Sequence, residues 1–477
     1  MKSITKKICA FFFVIIFIFV VLVMFKIVKW KMYVWIPDYL SQIASEDKGP
    51  VRSHEDIKHI MFMFVDHYEP GRGMKGTEKN LYWLKEYMEM ADRHYDSYGR
   101  SPQHTWFYAY DHKNEDVVKA LANAVYLGYG EIEFHWHHGN DTNETFPEKL
   151  KEGLQWFNSF GAMKTVGDDE IVAFGFIHGN WALDNSTVIE HCGVSRELDI
   201  LKNAGCYADF TFPSFGSDAQ PSKINSIYYV QDDDNPKSYG KGKDAEVGKI
   251  QREKFMIFEG PLCLAFRREM VECGAVGTDY MPSLSRVDKW ISQKIGVRGR
   301  PEWIFVKVYT HGIQSRNVFF GKQTDQMFDY LEQKYGTGDY RLHYITSREA
   351  YNIVRAAEDG LSDDPDLYRN YEIKEPINKY INCSLPVIYD KVSEGEVVFS
   401  PRIVEHSTYL LKISPIVKID GILNYFNYKK RQNNHMLIVK GNGLLRIYSK
   451  QPLIISPNSL PKEKKDLFVY EVHFDES

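Results

Sequence analysis

Three histidines fall within four positions in the run Glu131-Ile-Glu-Phe-His135-Trp-His137-His138-Gly-Asn-Asp141. Neutral imidazole is the commonest protein ligand for zinc-like divalent ions. Side chains alternate along a strand, so His135 and His137 share one face and His138 takes the other. Further titratable residues stand at the ends of other apolar runs: Asp66-His67 after 59–65, Asp111-His112 after 104–110, His178 after 171–177 and His311 after 303–309. Such a set points to a catalytic divalent metal, zinc by its nitrogen ligands. Hydrolysis at a metal needs two or three protein ligands, an open position for water, a base for the water's proton and an acid for the leaving group. The candidate ligands are His67, His135, His137 and His138. Asp66 suits the base or a further ligand, Glu69 is another carboxylate nearby, and His311 suits the acid that protonates a departing amine.

Those residues need a scaffold that gathers them. The runs 59–65, 104–110, 131–137, 171–177, 208–212 and 303–309 are continuous apolar segments, as expected of strands buried on both faces of a parallel sheet. Segments with helical spacing lie between or after them, at 81–98, 115–129, 146–159, 196–204, 327–335 and 347–360. Strand–helix alternation predicts an α/β domain with a parallel sheet or barrel. The titratable residues sit at the C-terminal strand ends, the end that carries chemistry in barrels.

In order along residues 58–350, these motifs resemble the polysaccharide deacetylase family. The strand Met61-Phe-Met-Phe-Val-Asp66 resembles its first strand, which ends in an acidic motif, and His104-Thr-Trp-Phe-Tyr108 its second. Glu131-Ile-x-x-His135 resembles the run carrying its metal-binding histidine. Residues 197–209 resemble the helix-to-strand segment before its later motifs, and Val306-Lys-Val-Tyr-Thr-His311 its last strand. The resemblance implies a distorted (β/α) barrel, a divalent metal and hydrolysis of an acyl group, an N-acetyl amide above all, on an acetylated glycan. It places the base at Asp66, ligands at His67 and His135, and the catalytic histidine at His311. The family's second ligand histidine comes four residues after the first, and that position is Gly139; His137 or His138 must substitute, or Asp141 must join. The family's Arg-x-Pro motif is replaced by His178-Gly-Asn-Trp-Ala-Leu-Asp-Asn185, whose His178, Asn180 and Trp181 suit substrate binding. Two other readings stay open: a glycosidase on a related barrel, with two of Asp66, Glu69 and Asp111 as its carboxylates, and a non-catalytic glycan-binding or assembly protein of the envelope.

The remaining features bound the context. The net charge of the 477-residue chain is −5, with no long basic block after residue 40, which argues against a nucleic-acid partner. Residues 9–25 are uncharged and almost wholly apolar; Lys2, Lys6 and Lys7 precede them, and no small-residue cleavage pattern follows. This reads as an uncleaved signal anchor, with a single-pass membrane helix in residues 1–34. The lysines before it favour an N-terminus inside and the domain outside the cytoplasm. Residues 35–57 read as a linker, 58–365 as the barrel and 376–477 as a small β-rich accessory domain. Beyond Cys9, five cysteines at 192, 206, 263, 273 and 383 leave room for one disulfide, Cys192 with Cys206 or Cys263 with Cys273.

Overall fold

Apolar strands and amphipathic helices alternate through residues 58–358, and the strands assemble into one large, mostly parallel sheet. A computed structural model describes residues 2–45, 57–71, 73–126, 128–164, 172–265 and 269–376, with strand segments between 391 and 474. The chain divides into two units at Lys379/Tyr380.

The first unit begins with α1 (Lys2–Lys29) and α2 (Ile36–Ser45). Then follow β1 (Lys58–Tyr68), α3 (Gly73–Ala91), β2 (His104–Ala109), α4 (Glu115–Tyr126), β3 (Gly130–Trp136), α5 (Thr145–Asn158), β4 (Phe174–His178), α6 (Glu197–Asn203) and β5 (Cys206–Asp209). An irregular stretch carries β6 (Ser226–Val230), β7 (Lys243–Asp244), β8 (Phe255–Glu259), β9 (Cys263–Leu264), β10 (Val271–Glu272) and α7 (Leu284–Ile291). The unit ends with β11 (Trp303–Thr310), α8 (Arg316–Phe319), α9 (Lys322–Tyr335), β12 (Tyr340–Ile345) and α10 (Ser347–Glu358). The sheet order is β11-β1-β2-β3-β4-β5-β8-β6-β7, with β12 also paired to β1. Ladders from β11 to β8 are parallel, and β6 and β7 are antiparallel. Among the described residues no pairing joins β11 to β7, so the expected α/β sheet is present and its closure into a ring is not part of the ladder.

Alternation along each strand sorts residues between two layers. One face gathers Met61, Met63, Val65, Phe107, Ile177, Phe210, Phe258 and Phe305 into a single core. The opposite face of β1 meets helices: Phe62 packs on Phe328, Phe64 on Phe319 and Tyr68 on Trp83. The same rule on β3 puts Glu131, Glu133 and His135 on the inner face. Phe134 and Trp136 turn outward onto Phe157 and Phe146 of α5. Two buried inner carboxylates are fully engaged. Glu131 accepts from Arg348 at 2.7 Å, and Glu133 accepts from the Tyr207 hydroxyl at 2.5 Å. An ion pair of the Glu131–Arg348 kind is what lets charged groups stay inside a sheet interior, whereas burial pushes the Glu133 carboxyl pKa well up.

Two expectations change here. The stretch read as a linker is helical through α2, and it docks on the domain: Met32 and Trp35, fully buried, join Ile224, Leu262 and Val271 in a small cluster. The four cysteines between 192 and 273 are free buried thiols, without either bridge. The second unit is a separate antiparallel sheet of seven strands, Lys391–Ser393, Glu396–Phe399, Ser407–Leu411, Ile416–Arg431, Asn434–Ser449, Lys462–Lys464 and Leu467–Phe474. The α1 stretch Phe11–Lys29 is long and apolar enough to cross a membrane, and none of it is buried against the protein.

Candidate metal centre

The inner face of the sheet delivers its polar residues to one point at the strand ends. His67 closes the inner row of β1, and Glu69 follows at the same parity. His135 and His137 close the row of β3, and His311 follows that of β11. Ligating atoms of Glu69, His135 and His137 lie within 4.8 Å of one another. Glu69 Oε1 is 3.4 Å from His137 Nε2, 3.8 Å from His135 Nε2 and 3.9 Å from His311 Nε2. The His67 ring stands 4.8 Å from that of His311 and 5.3 Å from that of His135, centroid to centroid.

Each of the two central histidines is oriented from behind. His135 Nδ1–H donates to the Ile177 carbonyl at 2.8 Å, which leaves Nε2 as a buried lone pair without a hydrogen-bond partner. His137 Nδ1–H donates to Asp111 Oδ1 at 3.2 Å, and the His137 backbone N–H meets the same oxygen at 3.2 Å. Metal-binding histidines are held in this way, with the far nitrogen tied to a carbonyl or carboxylate. The fit therefore rests on an orphaned, aimed nitrogen in a set of one carboxylate and two to four imidazoles, a donor set suited to zinc.

Glycines make the arrangement possible. A Cβ on Gly179 would lie 2.4 Å from Cδ2 of the His137 ring, so only glycine admits that ring. A Cβ on Gly139 would meet the Glu190 carbonyl oxygen at 1.9 Å. Gly139 stands where the resemblance places a second histidine, and there is no room for one. His137 takes the inner face instead, and His138 turns outward.

Electrostatics follow from burial and neighbours. Burial, then the charges of His311 and His135, hold the His67 pKa well below the usual histidine value. Burial also lowers His135. For His137 burial opposes the charged form, but Asp111 and Glu69 outweigh it and push the pKa up to about 9. Burial likewise opposes the Glu69 carboxylate, yet the neighbouring His135 and His137 imidazoles hold its pKa far below the carboxylate range. The cluster is built to keep an anionic oxygen among several nitrogens.

Three expected residues are not in this group. Asp66 has the outward parity of β1. It is fully buried, accepts from His104 Nε2–H at 3.0 Å and from the Gly312 N–H at 2.8 Å, and does not face the cluster. A base there would have to reach through the sheet, so Asp66 instead anchors the turn that carries His311. Gly312 is required for that contact, since its Cβ would lie 2.3 Å from Asp66 Oδ2. His138 is outward and joins His178, Cys192 and Glu197 in a second, wholly buried group. His178, expected at a substrate surface, is closed off inside that group.

Asn180 is exposed and Trp181 is 38 % exposed; both hold left-handed φ of 55°. Asp184 at 54° and Asn185 at 50° share that conformation, which is uncommon outside glycine and costs energy for a bulky residue such as Trp181. The loop is pinned from outside, because residues 237 and 238 hydrogen-bond to it. Lys237 N–H donates to the Asp184 carbonyl at 2.9 Å, and Ser238 N–H donates to the Asp184 carboxylate at 2.7 Å.

Sequence reasoning named Glu69 as a nearby carboxylate and as a candidate glycosidase carboxylate, but not as a metal ligand. Its signal was positional: it follows His67 at the same parity, two residues on. Compared with known proteins, the chain matches no family model and no curated sequence.

Proposed function

We propose that this chain is a membrane-anchored, metal-dependent hydrolase that removes acyl groups, N-acetyl foremost, from a cell-surface or exopolysaccharide glycan. The observation that carries the reading is the convergence of Glu69, His135 and His137, with His67 and His311 beside them, at the C-terminal ends of parallel strands. Glu69, His135 and His137 would hold a divalent ion, zinc by their chemistry, with His67 as the further candidate donor. Such an ion supplies Lewis acidity, making water a nucleophile near neutral pH and polarising the scissile carbonyl. Asp111 and the Ile177 carbonyl keep the two imidazoles aimed. His311, whose side chain is 38 % exposed, stands at the open side, where it can hand a proton to a leaving amine. Trp181 and Asn180 on the strained loop offer an aromatic face and an amide to a sugar.

The motif order of the polysaccharide deacetylases supports the same reading, as does the parallel sheet, which on this reading is a distorted (β/α) barrel. Lys2, Lys6 and Lys7 before α1 favour a domain outside the cytoplasm, where such glycans lie. The test is acetate release from acetylated chito-oligosaccharides and from acetylated exopolysaccharide by the detergent-solubilised protein, before and after chelation. Zinc-dependent release that disappears in His135→Ala is expected. Equal metal content in His135→Ala and wild type, with no acetate from either, would sink the proposal.

A further inference from the structure

We infer that the second buried group, His138, His178, Cys192 and Glu197, is a structural zinc site distinct from the centre proposed for catalysis. Their ligating atoms lie within 4.8 Å of one another, and all four residues are buried. The members come from four places: His138 follows β3, His178 ends β4, Cys192 lies in the loop that leads into α6, and Glu197 is the first residue of α6. Glu197 Oε1 is 2.9 Å from His138 Nε2 and 3.4 Å from His178 Nε2, and Glu197 Oε2 is 3.4 Å from Cys192 Sγ. A tetrahedral zinc with bonds of about 2.0–2.3 Å spaces its ligand atoms roughly 3.3–3.8 Å apart. Two of these spacings, to His178 and to Cys192 from the two Glu197 oxygens, fall in that range, and the 2.9 Å contact to His138 is a hydrogen-bond length that an ion would open.

A hydrogen-bond network alone accounts for part of this group. Glu197 accepts from His138, from the Cys192 thiol and from the Asp184 N–H at 2.6 Å. It does not account for His178. His178 Nδ1 lies 2.5 Å from the Gly179 carbonyl, which can only accept, so the proton is on Nδ1. In the neutral ring Nε2 is then a lone pair. That nitrogen has no hydrogen-bond partner, is fully buried and faces the Glu197 carboxylate. Two acceptors turned towards each other in a buried site repel, and a cation between them removes the conflict.

One orienting contact repeats those of the first centre, His178 Nδ1–H on the Gly179 carbonyl, whereas His138 Nδ1 faces a carboxylate without hydrogen-bonding to it. His138 Nδ1 is 3.3 Å from Asp141 Oδ2, and Asp141 is itself held by Lys149 at 2.5 Å and by the Thr145 hydroxyl at 3.0 Å. A thiolate, two imidazoles and one carboxylate make a donor set that selects zinc, and four protein donors with no exposed position mark a structural site. On binding, the Cys192 thiol proton and the proton on His138 Nε2 leave to water, and four bonds to zinc form. The ion would tie the 179–197 loop to the ends of β3 and β4, directly behind His137.

The test uses the full chain in detergent, loaded with cobalt(II) in place of zinc. Thiolate-to-cobalt charge-transfer absorption in the near ultraviolet is expected in wild type. It should persist in His137→Ala, which empties only the first centre, and vanish in Cys192→Ser. Zinc content should fall from two ions per chain to one in each variant. X-ray absorption at the zinc edge of the wild type should show a sulfur scatterer at about 2.3 Å. If wild type shows neither the cobalt band nor a sulfur scatterer, the inference is overturned, whether or not Cys192→Ser folds. The two assignments can fail separately. One zinc with a sulfur ligand and no acetate release keeps this site and removes the catalytic reading; sulfur-free zinc with acetate release does the reverse.

Discussion

At the scale of single residues, the two faces of β3 decide what each histidine can do. His137 depends on Asp111, which fixes its ring and tautomer through Nδ1. Removing such an orienting carboxylate weakens metal binding by about 10–100-fold. Asp111→Asn is therefore expected to lower zinc affinity by that factor, read by competition with a chromogenic chelator, while the fold stays intact. Unchanged affinity would remove His137 from the ligand set. Asp66 calls for a different measurement. Its carboxylate is fully buried and accepts two hydrogen bonds, from His104 and Gly312. Losing both leaves two buried donors unsatisfied, at a cost of about 2–4 kcal/mol. Asp66→Ala should show that loss in urea unfolding, with zinc content unchanged. A variant as stable as wild type but inactive at full zinc loading would restore Asp66 to the chemistry.

At the scale of elements, the strand ends away from the candidate centre carry their own titrating pair. His59 near the start of β1 and His343 in β12 meet at 2.9 Å, Nδ1 to Nε2, with rings stacked at 5.1 Å. Burial, and then His343, lower the His59 pKa from 6.5 to about 4, against the opposing pull of Asp364. The folded protein thus favours neutral His59, while the unfolded chain takes up a proton below pH 6.5. This contribution is whole above pH 6.5 and is lost progressively as the pH falls towards 4. The loss is on the order of 1–3 kcal/mol. In urea unfolding followed from pH 7.5 to 4.5, His59→Asn should show a shallower decline than wild type; parallel curves would refute the assignment.

The elements also mark what could be read from the sequence. β1, β2, β3 and β11 were legible because strands buried on both faces read as apolar runs. Alternation correctly separated His135 and His137 from His138. β12 was missed because Tyr340-Arg-Leu-His-Tyr mixes charge into a strand whose polar residues are paired only by tertiary contacts. α3 begins eight residues before the first apolar-periodic residue, Leu81, because Gly73 and Gly76 mask its first turns. The buried group around Glu197 left no periodic trace. Its members come from the ends of two strands, a loop and the start of α6, and are brought together by a loop whose left-handed residues are held by contacts from elsewhere in the chain.

At the scale of the whole molecule, the irregular 213–280 region acquires a role that its composition did not suggest: it receives the segment that follows the apolar helix α1. The Trp30 and Phe215 rings lie 5.6 Å apart, and Lys31 pairs with Asp218. Asp38 accepts from the Ile224 N–H at 2.9 Å, and Gln42 donates to the Ile224 carbonyl at 2.7 Å. Trp35, fully buried beside Met32, Ile224 and Leu262, is the largest anchor in that contact. A docked segment of this kind holds the domain at a set angle to α1, so the placement of the candidate centre relative to α1 is set by geometry rather than by tether length. Truncating a buried tryptophan costs about 3–5 kcal/mol. Trp35→Ala should therefore detach residues 30–45 and lower the melting temperature. Trypsin should then cleave the micelle-bound protein after Lys29 or Lys31 at sites that the wild type protects. If wild type and variant are cut there at the same rate, the segment is a free tether after all. The orientation of the centre would then be set by the membrane surface and the substrate, and not by the fold.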